Sequence, residues 1–308
     1  MHITTVTMNP TIDKSSRVER VVAERKLRCR PPTFEPGGGG INVSRAVRNL
    51  GGASLTVFPA GEGPTGRFFK ELIEGESLAY RPVSVKSRTR ESLMIYEEST
   101  GRQYRFGMPG EELTEEDWQA CLEAVFDTDA TPEYLVASGS LPPGAPEDFY
   151  ARMADRCREK SIRLVVDTSG DPLCRAAEAG VFLLKPNLNE LKTLAGCELD
   201  EEADQEEIVR SLVDEGRCRY VVLSLGAAGV LAASEEGLER LRAPTVKIQS
   251  KVGAGDSTLA GITLKLSQGA GFREAVQYGV AAGAAAVMTA GSELCRREDV
   301  ERLVQRIA

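Results

Sequence analysis

Tyr134-Leu135-Val136-Ala137-Ser138, the stretch 146–160 and Ile162-Arg163-Leu164-Val165-Val166-Asp167 follow one another in the chain. Two short apolar runs rich in strand-forming residues flank a longer amphipathic stretch. That order predicts a strand, a crossover helix and a second strand parallel to the first, because parallel neighbours need a connection of about a dozen residues or more. The same rhythm recurs outward from this unit. Strands are predicted over 3–7, 54–60, 181–185 and 219–224, and helices over 40–50, 64–75, 114–126, 187–195, 204–215, 256–268, 272–289 and 296–307. Alternation of this kind specifies an α/β fold with a mainly parallel sheet covered by helices. Segments 16–35 and 79–107 break the rhythm. In the second, 92–99 and 101–108 alternate around the turn-like Ser99-Thr100-Gly101, which predicts antiparallel strands in a small β appendage or sheet edge. The small-residue stretch Gly279 to Gly291 predicts a helix packed closely on a neighbour.

Composition narrows the function classes. The 308 residues are 42% hydrophobic and 27% charged, the balance of an ordinary globular protein and not of a disordered or collagen-like chain. A net charge of −8 gives no general attraction to nucleic acid or to an anionic membrane, so an anionic substrate must be met by a few placed cations or by backbone amides. The opening MHITTVTMNPTIDK has no leader character and no later run is long enough to span a bilayer, so a cytoplasmic chain is expected. The seven cysteines are scattered without a Cys-x-x-Cys pair, which reads as reduced structural thiols. The single histidine, His2, removes imidazole from consideration as a base, leaving a carboxylate or a lysine. A Gly-x-Gly-x-x-Gly after the first strand is absent, which argues against a nicotinamide-dependent oxidoreductase.

Five constellations carry candidate chemistry. Lys251-Val252-Gly253-Ala254-Gly255-Asp256-Ser257 runs into a good helical sequence. Glycines at a helix start let successive N–H groups point into one concavity, and the helix dipole adds partial positive charge, so Gly253, Ala254 and Gly255 form a candidate anion hole. Asp256 in the first turn is placed to accept a proton from a hydroxyl attacking a bound γ-phosphate. Read without that chemistry, the same residues make a loop and an N-cap. Pro36-Gly37-Gly38-Gly39-Gly40-Ile41-Asn42 likewise enters a helix. Four glycines suit close approach of main chain to a ligand more than an ordinary hinge, and Asn42 then offers an amide to a sugar hydroxyl.

Asn9-Pro10-Thr11-Ile12-Asp13 is expected to close the first strand, where ligands of open α/β sheets collect, with Asp13 accepting from vicinal hydroxyls. Lys185-Pro186-Asn187-Leu188-Asn189-Glu190 follows another strand. Asn187 and Glu190 lie on one helical face and suit either the waters of a Mg²⁺ ion or a capping box. Arg90, Arg105 and Lys26 sit in the irregular segments, where cations converging on a site are candidates for a substrate phosphate.

Taken together, these stretches resemble the ribokinase-like, or PfkB, family of carbohydrate kinases. Gly37-Gly38-Gly39-Gly40-Ile41-Asn42-Val43 resembles its first signature and Val252-Gly253-Ala254-Gly255-Asp256-Ser257 its second. The likeness runs over the whole chain and is strongest to the phosphosugar branch, through Lys26-Leu27-Arg28-Cys29, Phe34 to Gly40, Gln103-Tyr104-Arg105-Phe106 and Ser138 to Gly144.

The resemblance implies one ribokinase-like domain over 1–308, a three-layer sandwich with a β lid formed around 16–35 and 88–107 that clasps a partner's lid in a homodimer. It also implies transfer from MgATP to the 1-hydroxyl of fructose 6-phosphate. Kinases of fructose 1-phosphate and tagatose 6-phosphate share every motif, and a catalytically silent sugar-phosphate sensor is a distant alternative. Asp256 would be the base and the Gly253, Ala254 and Gly255 amides the anion hole. Asp13, Gly38, Gly39 and Asn42 would hold the sugar, with Ser138, Arg90 and Arg105 near its phosphate and Lys26 reaching in from the lid. Lys185, Asn187, Glu190, Ser224 and Gly226 would line the nucleotide and Mg²⁺ side. Ser250, Val252, Ala286, Thr289, Gly291 and Glu293 match the positions of a monovalent cation such as K⁺, although Thr289 and Glu293 depart from the expected residue types.

Overall fold

Runs of Val, Ile and Leu can be strands buried on both faces only if helices cover each side, and the fold meets that demand. A computed structural model describes residues 2–127, 131–289, 291 and 293–307. Its strands are β1 (Ile3–Val6), β2 (Thr11–Val18), β3 (Thr33–Gly37), β4 (Ser54–Gly61), β5 (Ala79–Val85), β6 (Arg90–Glu97), β7 (Gln103–Gly107), β8 (Tyr134–Ser138), β9 (Arg163–Asp167), β10 (Val181–Leu184), β11 (Cys218–Ser224), β12 (Val230–Ser234) and β13 (Gly237–Leu241). The helices are α1 (Gly39–Asn49), α2 (Pro64–Gly75), α3 (Glu115–Phe126), α4 (Phe149–Glu159), α5 (Asp171–Ala179), α6 (Leu188–Ala195), α7 (Glu202–Asp214), α8 (Ala254–Ser267), α9 (Phe272–Ala286) and α10 (Arg297–Val304).

Among the described residues, nine strands form one sheet in the order β13-β12-β11-β10-β9-β8-β1-β4-β5. The pairings from β11 to β5 are parallel, while β12 and β13 add an antiparallel hairpin at one edge. Alternation along each strand sorts side chains to two faces. Leu135 and Ala137 pack with α3 to α7, whereas Tyr134 and Val136 pack with α1, α8, α9 and α10. The result is the three-layer sandwich expected from the sequence.

The remaining strands build a separate four-stranded sheet, β3-β2-β6-β7, joined to the main body by a small core of Ile12, Ile41, Phe58, Ala60, Phe69 and Ile73. Its central pair, β2 with β6, is parallel, against the antiparallel expectation; β2–β3 and β6–β7 are antiparallel. Two strands that follow each other directly pair as hairpins, but β2 and β6 are separated by α1, β4, α2 and β5, and that crossover imposes the parallel sense.

The structure corrects the sequence reading elsewhere. Ala79–Val85 takes the sheet-edge alternative, at the end of the main sheet, but it runs parallel to β4 and not antiparallel. Helix α5 was not predicted because Gly170-Asp171-Pro172 reads as a turn, yet Pro172 sits at the helix start, where its missing N–H costs nothing. The β12–β13 hairpin was also missed, its strands being short and rich in Ala and charged residues.

Candidate active site

The two glycine-rich stretches meet at the carboxyl ends of the central strands. Gly38 caps α1 with φ of 119° and Gly253 caps α8 with φ of 73°, backbone conformations that favour glycine. The glycine run fits against protein as well as leaving room for a ligand: a Cβ on Gly39 would lie 2.3 Å from Ser138 Oγ, and one on Gly40 would lie 2.4 Å from the Val6 carbonyl oxygen. The start of α1 is thereby seated on the ends of β1 and β8. Helix α8 is seated in turn by α9, because Gly261 faces Gly279 and Gly283 faces Thr258 without side chains between them. The small-residue stretch is a packing feature, as expected, and its effect is to fix the helix that carries Asp256.

At the start of α8, Ser257 N–H donates to the Gly253 carbonyl at 2.8 Å. The amides before it have no acceptor within the helix and face outward as donors. Asp256 is half-buried in this first turn and accepts from Asn42 Nδ2 at 2.9 Å, so one side chain from each glycine-rich helix meets at the site. Burial, with Asp167 adding, pushes the Asp256 carboxyl up to about 7 against the opposing influence of Asn42 and Lys185. Asn42 Oδ1 is buried without a hydrogen-bond partner among the described residues, leaving an acceptor for a guest hydroxyl.

Behind Asp256, Lys185 Nζ lies 3.1 Å from Asp167 Oδ2 in a buried ion pair. Burial opposes the charge on Lys185, but Asp167 outweighs it and holds its pKa above the ordinary value. A Cβ on Gly255 would stand 3.4 Å from Lys185 Nζ, which places this cation beside the anion hole.

A cavity of about 270 Å³ opens between the small sheet and the loop before α8, lined among others by Thr11, Asp13, Glu35, Gly38, Arg90, Ser92, Arg105 and Val252. Asp13 is not at the end of the first strand, as the sequence suggested. It lies on β2, directly opposite Glu35 of β3 and Ser92 of β6. Burial pushes Asp13 up to about 6 against the pull of Arg90, and Glu35 adds to the rise. Arg90 also donates to the carbonyls of Asn9 at 3.1 Å and Met108 at 3.1 Å, so it ties the small sheet to two connecting segments while its guanidinium borders the cavity.

Asn187 and Glu190 form the capping box: Glu190 N–H donates to Asn187 Oδ1 at 3.0 Å and Asn187 N–H donates to Glu190 Oε2 at 2.8 Å. Each side chain uses one oxygen in this exchange. Burial, with Asp167 nearby, raises the Glu190 carboxyl, so a cation beside it would relieve an existing cost and the oxygen donors suit Mg²⁺ through its waters. Ser224 bridges to Asn187, and Gly226 begins a single exposed helical turn beyond β11.

The cation positions come together in part. Ser250 N–H reaches the Val287 carbonyl at 3.3 Å, and the Thr289 hydroxyl lies 2.8 Å from the Ala286 carbonyl and 3.0 Å from that of Leu294. Gly291 turns with φ of 61°. The Glu293 side chain pairs with Arg296 at 2.8 Å.

Lys26 is the site residue that the fold does not bring in. It lies exposed in the connection between β2 and β3 and does not line the cavity. Sequence reasoning also passed over Asp167, Glu35, Ser92 and Arg45. Asp167 had a readable signal, since it ends the apolar run Ile162 to Val166 at the face where ligands collect.

The chain is similar along its length to proteins already known. A family model described as pfkB family carbohydrate kinase matches residues 6–299. The chain is 42% identical over 306 residues to ATP-dependent 6-phosphofructokinase isozyme 2 of Mycobacterium tuberculosis, covering 99% of this chain and 90% of that one. It is 40% identical over 304 residues to the protein of that name from Escherichia coli K12, covering 98% of each. Phosphofructokinase-2 from Escherichia coli has been solved in complex with potassium, superposing with a TM-score of 0.95 at 39% identity over 99% of this chain and 98% of that one. It has also been solved in complex with fructose-6-phosphate, with a TM-score of 0.93 and the same coverage, and in a tetrameric inhibited form. With both glycine-rich helix starts joined through Asn42 and Asp256, and with relatives matching across its length, the chain belongs to the pfkB family of carbohydrate kinases.

Proposed function

We propose that this protein transfers the γ-phosphoryl group of ATP to the 1-hydroxyl of fructose 6-phosphate. The observation that carries the reading is the half-buried Asp256 carboxyl, poised beside the unpaired amides of α8 and held by Asn42. In the proposed step the sugar oxygen bonds to the γ-phosphorus, the bond to the β,γ-bridging oxygen breaks to give ADP, and the hydroxyl proton passes to Asp256. The Gly253, Ala254 and Gly255 amides stabilise charge on the transferring group, and Lys185, kept charged by Asp167, stands beside them.

Asp13, Gly38, Gly39 and Asn42 orient the sugar, with Ser138, Arg90 and Arg105 toward its phosphate. Asn187 and Glu190 would hold Mg²⁺ through its waters, which would neutralise charge on the nucleotide phosphates, and Ser224 and Gly226 border the nucleotide. Ser250, Val252, Ala286, Thr289 and Gly291 are the proposed ligands of a K⁺ ion, through backbone oxygens that suit a hard cation. The small sheet is proposed as a lid on a single kinase domain and as the surface of a homodimer. Such a clasp is the arrangement that would give the exposed Lys26 loop a ligand-binding role.

The test is kcat/KM with MgATP against fructose 6-phosphate, fructose 1-phosphate, tagatose 6-phosphate, fructose and ribose. Preference for fructose 6-phosphate supports the reading. Preference for another phosphohexose keeps the mechanism and changes the substrate, and turnover of none leaves a sugar-phosphate sensor.

A further inference from the structure

Helix α1 carries Arg45 one turn beyond Asn42, and residues three apart share a helical face. Asn42 holds the Asp256 carboxylate. Arg45 holds the small sheet: its Nη2 lies 2.9 Å from Glu35 Oε1 on β3 and 2.9 Å from Glu76 Oε1 at the end of α2. Its side chain is only 6% exposed, and Nε and Nη1 are buried without hydrogen-bond partners among the described residues. Enclosing a guanidinium is costly, and here its pairing with the two carboxylates offsets that cost.

Tying α1 to α2 does not require Arg45 to engage Glu35, because Arg48 Nη1 already binds Glu76 Oε2 at 2.6 Å. The contact to Glu35 is therefore the one that needs a reason. Glu35 stands opposite Asp13 in the β2–β3 register, where side chains of paired residues project from one face a few ångströms apart. Both line the cavity. A single rigid helix thus touches the base of one element and the sugar-facing sheet of another, one turn apart.

We propose that Arg45 and Glu35 are positioning residues for the phosphosugar: through Glu35, the buried guanidinium fixes β3 and its neighbour Asp13 relative to Asp256, so that a sugar held by Asp13 presents its hydroxyl to the base. This rests on the phosphosugar kinase reading above. Misplacement of a bound hydroxyl weakens the sugar complex and its alignment, while the nucleotide, bound on the far side of Asp256, is unaffected.

Steady-state kinetics of the full-length wild type, Glu35→Gln, Arg45→Lys and the double variant test it, with circular dichroism and thermal melting as folding controls. Glu35→Gln keeps shape and removes the charge; Arg45→Lys keeps charge and removes the fork. The expected result is a phosphosugar KM raised about tenfold or more in each single variant, as for loss of a charge-assisted hydrogen bond, with the KM for ATP within about twofold of wild type. The double variant should be no worse than the weaker single one, since the two act as a unit. A phosphosugar KM within about twofold of wild type in a folded Glu35→Gln overturns the inference, as does a parallel loss for both substrates that follows the fall in Tm. If the wild type prefers another phosphohexose, the comparison is made with that sugar. A wild type that turns over none overturns the underlying reading, an outcome separate from any behaviour of the variants.

Discussion

Asp256 is the proposed base, and its environment makes that role measurable. A base must be ionised to act, so with its pKa pushed up to about 7 the rate should rise with pH through that value and level above it, as read from kcat/KM profiles. Asp13, at about 6, adds a second dependence on the acid side. Replacing Asp256 by Asn should lower kcat by about 10²- to 10⁴-fold while ATP binding, followed by calorimetry, stays near wild type; near-normal turnover would remove Asp256 from its place as base. The same burial has a sign in stability. The folded state keeps the proton between the ordinary value of 3.8 and about 7, so it binds more protons than the unfolded chain and stability falls as pH rises across that window. Asp256→Asn should therefore melt higher than wild type at pH 8, with the gain shrinking toward pH 4, and a variant that melts lower at both values would contradict this account. Asp256 and Asn42 were legible because each follows glycines at a helix start. Arg45 was not, since nothing in a helical sequence tells a buried arginine from a solvated one before its partners on β3 and α2 are known.

The start of α8 is the element on which the site depends, and its geometry is exacting. Gly253 has φ of 73°, and a Cβ there would lie 2.2 Å from Leu294 Cδ2. Gly253→Ala should destabilise the fold by about 1–3 kcal/mol and lower kcat together with it, because the amides proposed to meet the phosphate are displaced; melting and turnover measured in parallel check this. Thr114→Ala provides the contrast. Thr114 closes a capping box on α3, remote from the site, so its loss should cost about 1 kcal/mol and leave kcat and both KM values unchanged. Element types with a long period or a strong cap were readable in the sequence. Those that were misread are short: α5 opens on a Gly-Asp-Pro turn signal and the β12–β13 hairpin carries weak strand propensity, and both form because the core covers their apolar sides.

For the whole molecule, exposed apolar side chains on the small sheet support the proposal that it is a surface of assembly. Val22, Leu27, Phe106 and Met108 are exposed by 36%, 36%, 48% and 49%, and all four lie in or beside its strands, where lone exposure in a monomer would be unfavourable as a group. Phe106→Asp combined with Met108→Lys should shift a proposed dimer to monomer in light scattering and raise the phosphosugar KM. An unchanged mass would move the assembly surface elsewhere. Composition and periodicity by themselves determined the α/β class, the helix-covered parallel sheet, the two glycine-rich helix starts and the need for a carboxylate or lysine base in a chain with one histidine. These are local or averaged properties, written wherever backbone freedom and hydrophobic spacing are set. Tertiary structure alone decided the parallel pairing of β2 with β6, the placement of Asp13 beside Glu35 and of Arg45 beneath both, and the exclusion of Lys26 from the cavity. Each of these depends on how separate elements pack against one another, information that no single stretch of sequence contains.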